Sequence, residues 1–165
     1  MSDHAKPNQQ PKPIIRADER GAEFAVSHPL NPNSQVYGHP LSMMSGLKRT
    51  GVNWIRLPPG KESFAYHRHH GEEEWSYILS GRGEVELDEV RHPVGAGDFI
   101  AYPAGTAHHM YNNSGEDLVY LSGGEHHDRE IADFPRHGKR MVRDGSRIAI
   151  YPLDAGEAFP GFEKL

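Results

Sequence analysis

The feature that most constrains the fold of this chain is the shortness of its apolar segments. From Glu23 onward, short apolar or alternating runs are separated by Gly, Pro, Asn and Asp, and no segment keeps a long helical period. Strand-like runs spaced so closely by turn residues are typical of a sandwich or barrel rather than of a sheet connected by helices. The sequence therefore predicts an all-β domain.

The predicted strands share alternating or apolar residues that end at turn formers. In chain order they are 24–27, 43–47, 52–57, 64–69, 75–79, 83–87, 98–102, 108–111, 118–122 and 147–151. We expect a hairpin turn at 80–83 and a loop or short-helix excursion over the polar stretch 125–146. The apolar strand around Met43 and Met44 predicts a homodimer joined through N-terminal strands.

The length of 165 residues suits one domain with a single core. Residues 1–13 are rich in Pro, Gln, Asn and Lys and lack apolar periodicity, so they cannot offset the entropy of ordering by burying surface. We expect a flexible N-terminal arm over 1–13 and one domain over 14–165.

The charge balance excludes several classes of partner. The formal net charge is −5, and no clustered excess of Lys and Arg predicts binding to nucleic acid. No apolar run approaches the roughly 18 residues that a membrane span needs, and residues 1–7 contain no apolar leader. We expect a cytoplasmic protein with a small-molecule ligand.

Histidines provide the candidate chemistry of this chain. It has 12 His and no Cys, which excludes disulfides, thiolate metal sites and cysteine nucleophiles. Because side chains alternate along a strand, His67 and His69 project to one face of the predicted strand 64–69. Glu74 follows a turn around Gly71, and His108 would approach from a third strand. This set of three nitrogens and one oxygen predicts one divalent transition-metal ion: Fe, Mn, Ni, Co, Cu or Zn.

The spacing of these residues resembles the two motifs of the cupin superfamily. The second motif, G(X)5PXG(X)2H(X)3N, is matched in full by Gly97, Pro103, Gly105, His108 and Asn112. In the first motif, G(X)5HXH(X)3,4E(X)6G, the matching residues are His67, His69, Glu74 and Gly81, while Gly60 lies one residue too far upstream. Glu73 also has a permitted spacing from His69, but only Glu74 keeps six residues before Gly81.

The resemblance covers about 52–123 and implies a double-stranded β-helix, the cupin jelly-roll barrel, in a small single-domain bacterial protein. It implies a metalloenzyme of dioxygenase, isomerase or lyase type acting on a small molecule. The alternative is a non-catalytic barrel that binds or senses a sugar or sugar acid. The motifs do not choose among these reactions.

Strand parity predicts further residues of the pocket. Ser76 and Ile78 follow Glu74 on the inner face, and Met110 and Asn112 follow His108, although an apolar Ile78 also suits the core and Asn112 also suits a turn. Tyr66, Arg68, His70 and His109 neighbour the ligands but point to the opposite face.

Other charged residues have simpler explanations. Glu72 and Glu73 are expected to be exposed. The basic stretch 136–147 could meet an anionic substrate or the acidic face of a partner, but a solvated surface is the favoured expectation. His126, His127 and Asp128 do not predict a second metal site, because adjacent strand residues point apart.

Overall fold

The computed structural model describes residues 11–156, so the predicted arm lies outside the described residues except for 11–13. Thirteen strands account for about half of this region. They are β1 Phe24–Val26, β2 Val36–His39, β3 Thr50–Leu57, β4 Arg68–His69, β5 Glu74–Ser80, β6 Arg82–Leu87, β7 Val90–Gly95, β8 Phe99–Tyr102, β9 His108–Tyr111, β10 Leu118–Glu125, β11 Arg129–Phe134, β12 Lys139–Asp144 and β13 Arg147–Pro152. The helical elements are α1 Leu41–Ser45 and two 3₁₀ turns, Ala17–Glu19 and Pro135–His137.

The strands form two layers of antiparallel pairs. One layer is a six-stranded sheet in the order β1-β2-β3-β10-β5-β8. The other combines β13-β12-β11-β4 with β7-β6-β9, and an antiparallel bridge between His67 and His108 links these two sheets. The predicted all-β jelly roll is confirmed.

The core lies between the layers. Leu57, Ile78 and Leu118 of the six-stranded sheet are fully buried, and they belong to one apolar cluster with Val85 and Met110 of the opposite layer. Burial on alternate positions of these strands accounts for their alternating sequences.

The prediction of a strand at 43–47 is wrong. These residues contribute to α1, which follows Pro40 and ends at Gly46 in the left-handed conformation with φ of 82°. Glycine adopts this conformation without steric cost and commonly terminates helices. The strand that was predicted to join two copies of the chain is therefore absent at 43–47. The homodimer itself stays a prediction.

The loop predicted over 125–146 is also wrong, because it contains β11 and β12, joined by the 3₁₀ turn at Pro135–His137. The segment 80–83 is not a hairpin turn either. β5 ends at Ser80 in the six-stranded sheet, whereas β6 begins at Arg82 in the opposite layer. The chain crosses between layers at Gly81.

Two further differences concern strand extent. β2 and β7 were not predicted, and only Arg68–His69 of the predicted strand 64–69 joins a ladder. Within residues 11–156, no helix has the length and apolar character that crossing a bilayer requires.

Candidate metal centre and its cavity

The four predicted ligands come together where the two layers meet. Glu74 opens β5, His108 opens β9, and His67 and His69 lie in and beside β4. The Glu74 Oε2 atom lies 3.1 Å from His108 Nε2 and 3.3 Å from His69 Nε2. The rings of His67 and His108 are 4.5 Å apart between centroids, and ligand atoms of His67, His69 and Glu74 lie within 4.8 Å of one another.

Backbone carbonyls orient two of the imidazoles. His67 Nδ1 lies 2.8 Å from the carbonyl oxygen of Ala65, and His108 Nδ1 lies 3.1 Å from that of Thr106. A carbonyl only accepts, so each Nδ1 carries a proton and donates it. In the neutral rings the lone pair is then on Nε2, which is the form that binds a metal ion.

The Glu74 carboxylate faces these nitrogens and stays ionised. Burial raises its pKa, but the hydrogen bond to His108 and the neighbouring imidazoles together lower it to about 2. Burial, followed by the charge of His108, lowers the pKa of His67 to about 3. The hydrogen bond to Glu74 needs a proton on His108 Nε2, and a divalent transition metal would take the place of that proton between the carboxylate and the ring nitrogens, so the donor set fits such an ion.

The third imidazole has carboxylates behind it. His69 Nδ1 is buried without a hydrogen bond to any residue in 11–156. The nearest acceptors are Glu72 Oε2 at 3.5 Å and Glu130 Oε1 at 3.7 Å. Both glutamates are buried, with relative exposures of 4% and 5%. The prediction that Glu72 is exposed is therefore wrong.

Other groups hold these two carboxylates in place. Glu72 accepts a hydrogen bond from the His127 backbone N–H and contacts the Arg143 guanidinium. Glu130 accepts from the backbone N–H groups of His70 and Gly71, at 2.8 and 3.1 Å. Glu72, Glu130 and His127 also cluster as a second group of candidate metal ligands. Arg143 already supplies a cation to this cluster.

Tyr102 is a residue of the site that strand parity did not single out. Its ring stacks on His108 at 4.1 Å between centroids and an interplanar angle of 12°. Its hydroxyl donates to Ser76 Oγ at 3.1 Å, and burial raises its pKa to about 12. The phenol therefore stays protonated, and the stacked ring fixes the plane of the His108 imidazole. Tyr102 lies two residues after Ile100 on β8, so strand alternation places both side chains on the same, inward face. This alternation was the sequence signal available for Tyr102.

The ligands open into a cavity of about 1170 Å³. Of the predicted pocket residues, Ser76 and Met110 line this cavity, whereas Ile78 lies in the core. Asn112 is buried and organises a turn: its Nδ2 donates to the carbonyls of Leu57 and Glu116, and its Oδ1 accepts from Ser114. Among the ligands, His67, Glu74 and His108 line the cavity.

The residues next to the ligands in the sequence mostly make hydrogen bonds and ion pairs with other parts of the fold. Tyr66 accepts from the Glu89 backbone N–H, and His109 Nε2 lies 3.1 Å from Glu62 Oε2. His70 and Arg68 both contact the buried Asp133 of β11, at 2.9 and 3.4 Å.

The basic stretch 136–147 is not simply a solvated surface. Arg136 pairs with the buried Glu86, Arg140 pairs with the buried Asp133, and Arg143 pairs with Glu72. No local signal in the sequence links these partners, because up to 71 residues separate them.

Comparison with known proteins gives consistent results. A family model described as "Cupin domain" matches residues 53–124. A crystal structure from Acidithiobacillus ferrooxidans, described as a putative sugar phosphate isomerase, superposes with a TM-score of 0.84 at 32% identity, covering 88% of this chain and 96% of that chain. A cupin-superfamily sugar phosphate isomerase from Silicibacter pomeroyi gives 0.79 at 25% identity, covering 90% and 98%.

A curated relative matches more locally. The oxalate-binding protein of Thermotoga maritima is 37% identical over 68 residues, which are 41% of this chain and 55% of the relative. The match thus spans little more than half of that relative's length. Together with the jelly roll and the matched motifs, these similarities show that the chain belongs to the cupin superfamily.

Proposed function

We propose that this protein is a metal-dependent enzyme of the isomerase type that acts on a small hydroxylated carbonyl compound. The observation that carries the proposal is the convergence of His67, His69, Glu74 and His108 at the edge of the cavity, where the carbonyl contacts of Nδ1 in His67 and His108 leave Nε2 as the ring nitrogen that can bind an ion. These four residues would hold the ion. When bound, such an ion would act as a Lewis acid toward ligand oxygens.

The similarity to known proteins favours isomerisation among the reactions of this superfamily. The Acidithiobacillus protein is described as a putative sugar phosphate isomerase, and this chain covers nearly all of it. The cavity also supplies polar groups beside the ligands. Ser76 Oγ accepts a hydrogen bond from the Tyr102 hydroxyl, so the Ser76 hydroxyl can itself donate a hydrogen bond to a ligand oxygen.

The metal site is tested by metal analysis of protein prepared without a His-tag. We expect about one ion per chain, and His67→Ala and His108→Ala should each remove it. His92→Ala is the matched control, because His92 is an exposed residue of β7. Full retention of the ion in both ligand variants would contradict the assignment.

The reaction is tested by proton NMR in D₂O. Protein loaded with Mn²⁺, Co²⁺, Ni²⁺, Zn²⁺ or Fe²⁺ is incubated with aldoses and ketoses, free and phosphorylated. An isomerase that moves a proton between C1 and C2 converts the aldose into the ketose or the reverse, and the product signals appear in the spectrum. The transferred position of the product carries either deuterium from the solvent or the original hydrogen. Oxygen uptake without isomerisation would replace the proposal with a dioxygenase.

A second candidate is a non-catalytic binding protein. It is favoured by the local match to the oxalate-binding protein of Thermotoga maritima. A cavity of about 1170 Å³ is much larger than a small dicarboxylate, which argues for a bulkier ligand. Saturable binding of a sugar with no change in its NMR spectrum over days, for each of the metals, would support this candidate against the isomerase.

A further inference from the structure

We propose that the cavity wall beside the metal ligands carries a polar patch, formed by Ser76, Ser122, Asn53 and Tyr120, that binds the uncharged hydroxyl chain of a sugar. This inference rests on the proposed function, because it names the part of the substrate that the protein would recognise next to the metal centre. All four residues line the same cavity as the ligand Glu74.

Strand alternation places the polar patch on the same face of the six-stranded sheet as Glu74. Glu74 and Ser76 are two residues apart on β5, and Tyr120 and Ser122 are two residues apart on β10, so each pair projects to one side. Register pairs Ser122 with Ser76 on one neighbouring strand and with Asn53 on the other. Strands are about 4.8 Å apart, so the patch begins beside the ligand and extends about 10 Å across three strands.

The hydrogen-bonding groups of the polar patch are available to a ligand. Within 11–156, the side chains of Asn53, Ser122 and Tyr120 make no hydrogen bond to another residue. The Ser76 hydroxyl accepts a hydrogen bond from Tyr102 at 3.1 Å, and its own O–H can donate. The patch therefore offers donors and acceptors that the fold does not use.

Tyr120 combines deep burial with a hydroxyl that has no partner among the described residues. The residue is 5% exposed. Burial raises the pKa of its phenol, and the nearby Tyr102 phenol adds to this effect, so the hydroxyl keeps its proton at neutral pH. A hydroxyl in such a position is stabilised by an acceptor, and the cavity is the side from which a ligand oxygen can reach it.

The polar patch is neutral, and the basic side chains of the cavity lie apart from it. Among the described residues that line the cavity, the lysine and arginine side chains are those of Lys12 and Arg20, both of which precede β1. Lys12 pairs with Glu19 at 3.2 Å. Arg20 lies over the ring of Trp54, which projects to the opposite face of β3 from the adjacent Asn53. A phosphate or carboxylate at the patch would therefore lose hydration without gaining a cation.

Sugar hydroxyls fit this combination of neutrality and hydrogen-bonding capacity. Each sugar hydroxyl both donates and accepts hydrogen bonds, and serine and tyrosine hydroxyls and the asparagine amide do the same. Because the patch adjoins the ligands, a sugar whose carbonyl end lies at the metal centre would extend its hydroxyls along the patch. The patch thus favours a neutral sugar over a phosphorylated sugar or a sugar acid.

Ribitol is the first probe, because it has a chain of hydroxyls but no carbonyl that an isomerase could convert. Its binding to metal-free protein is followed by two-dimensional ¹H–¹⁵N NMR, which detects weak affinities. We expect about one ribitol per chain. Ser122→Ala and Tyr120→Phe should each weaken binding about two- to tenfold, which is the effect of one neutral hydrogen bond.

Two matched controls remove the same atoms elsewhere. Ser80→Ala changes an exposed residue at the end of β5, and Tyr151→Phe changes an exposed residue of β13. Neither residue lines the cavity, so both controls should leave the ribitol affinity unchanged.

Folding does not confound this comparison. Ser122→Ala and Tyr120→Phe remove hydroxyls without a partner among the described residues, so their urea midpoints should stay close to that of the wild type. Absence of saturable ribitol binding in the wild type, or unchanged affinity in both variants, would overturn the proposal. These titrations need no metal, so they stand even if metal analysis contradicts the proposed function.

A second titration tests the neutrality of the ligand. Ribose, ribose 5-phosphate and ribonate are compared with the wild type and with Tyr120→Phe. We expect ribose to bind at least as tightly as either anion and to lose affinity in Tyr120→Phe. Tighter binding of ribose 5-phosphate or of ribonate than of ribose would overturn the assignment of a neutral sugar.

Discussion

The Nδ1 atoms of the three imidazoles around Glu74 do not face the same groups. Those of His67 and His108 donate to backbone carbonyls, whereas that of His69 faces the carboxylates of Glu72 and Glu130. An acceptor behind a ligand imidazole fixes its tautomer, and a carboxylate there also raises its basicity. His69 should therefore be the strongest nitrogen donor of the set.

Replacing Glu72 tests this difference at a single residue. Glu72→Gln removes the anion behind His69 Nδ1 while keeping the shape of the side chain. We expect the affinity for Co²⁺, measured by competition with a chelator, to fall about 10- to 100-fold. Long-range ¹H–¹⁵N NMR of the metal-free protein should show the Nδ1–H form of His69 in the wild type and a mixed population in the variant.

Glu73→Gln provides the control, since the adjacent Glu73 is exposed. It should leave both the affinity and the His69 spectrum unchanged. If Glu72→Gln binds Co²⁺ as tightly as the wild type, the carboxylate behind His69 has no role in metal binding.

At the scale of strands, apolar alternation and turn residues predicted several elements, including the largely exposed β13. β9 was predicted with its observed bounds, because turn residues flank it at Gly105 and Asn112. β11 was missed because its buried positions include charged residues, and β12, which has no buried residue, carries four charged ones. Asp133 and Glu130 are buried through ion pairs and backbone hydrogen bonds that no hydrophobic period reveals.

The same reasoning explains the outcome at the candidate site. Two-residue spacing along a strand and the turn glycines placed His67, His69, His108 and a glutamate together, and the resemblance to the cupin motif favoured Glu74 over Glu73. The spacing of the metal motifs does not include Tyr102 or Glu72. Tyr102 acts through ring stacking, and Glu72 depends on Arg143, which lies on a strand that the sequence did not predict.

The pairing of β11 with β12 predicts a pH-dependent stability. Asp133 is fully buried, and Arg140 first, with His70, holds the pKa of its carboxyl well below the usual range against the effect of burial. A lowered folded-state pKa stabilises the protein above the unfolded pKa of about 3.9, and this stabilisation is lost as the pH falls further. Asp133→Asn should cost about 2–3 kcal/mol at pH 7.

Urea unfolding at several pH values checks this expectation. The difference in free energy of unfolding between wild type and Asp133→Asn should be constant above about pH 5 and shrink below about pH 4. Asp144→Asn is the control, because the Asp144 pair with Arg129 is exposed; it should leave the free energy of unfolding nearly unchanged at every pH. A pH-independent difference for Asp133→Asn would show that shape rather than charge matters there.

A second prediction at the scale of strands concerns Gly81, where the chain crosses between the two layers. Gly81 has φ of 80°, and a Cβ atom there would lie 2.2 Å from the carbonyl oxygen of Asp117. Gly97 also has positive φ, at 95°, but a Cβ atom there would meet open space. Gly97→Ala should therefore cost about 1–2 kcal/mol from backbone strain alone. Gly81→Ala should cost roughly 1–3 kcal/mol more from the clash.

Thermal and urea unfolding of the two variants measure the difference. The clash at Gly81 involves backbone atoms, which cannot rotate away as a side chain would. Equal destabilisation by the two substitutions would mean that the crossing between β5 and β6 tolerates a side chain.

At the scale of the whole molecule, the candidate metal centre joins parts that the hydrogen-bond ladders leave weakly connected. Glu74 belongs to the six-stranded layer, whereas His69 and His108 belong to two different sheets of the opposite layer. Among the described residues, those two sheets are bridged at His67 and His108. An ion held by all four ligands would tie the layers and both sheets together.

Metal binding should therefore stabilise the entire fold rather than one loop. A ligand at 100 times its Kd stabilises the folded state by about 2.7 kcal/mol, which corresponds to about 5–10 °C in Tm for a domain of this size. Calorimetry of metal-free and Co²⁺-loaded protein should show this rise as a single transition. His67→Ala should abolish the rise and His92→Ala should keep it. A rise that survives in His67→Ala would place the stabilising ion outside the four ligands, and a transition that splits on loading would mean that the ion stabilises only one of the two layers.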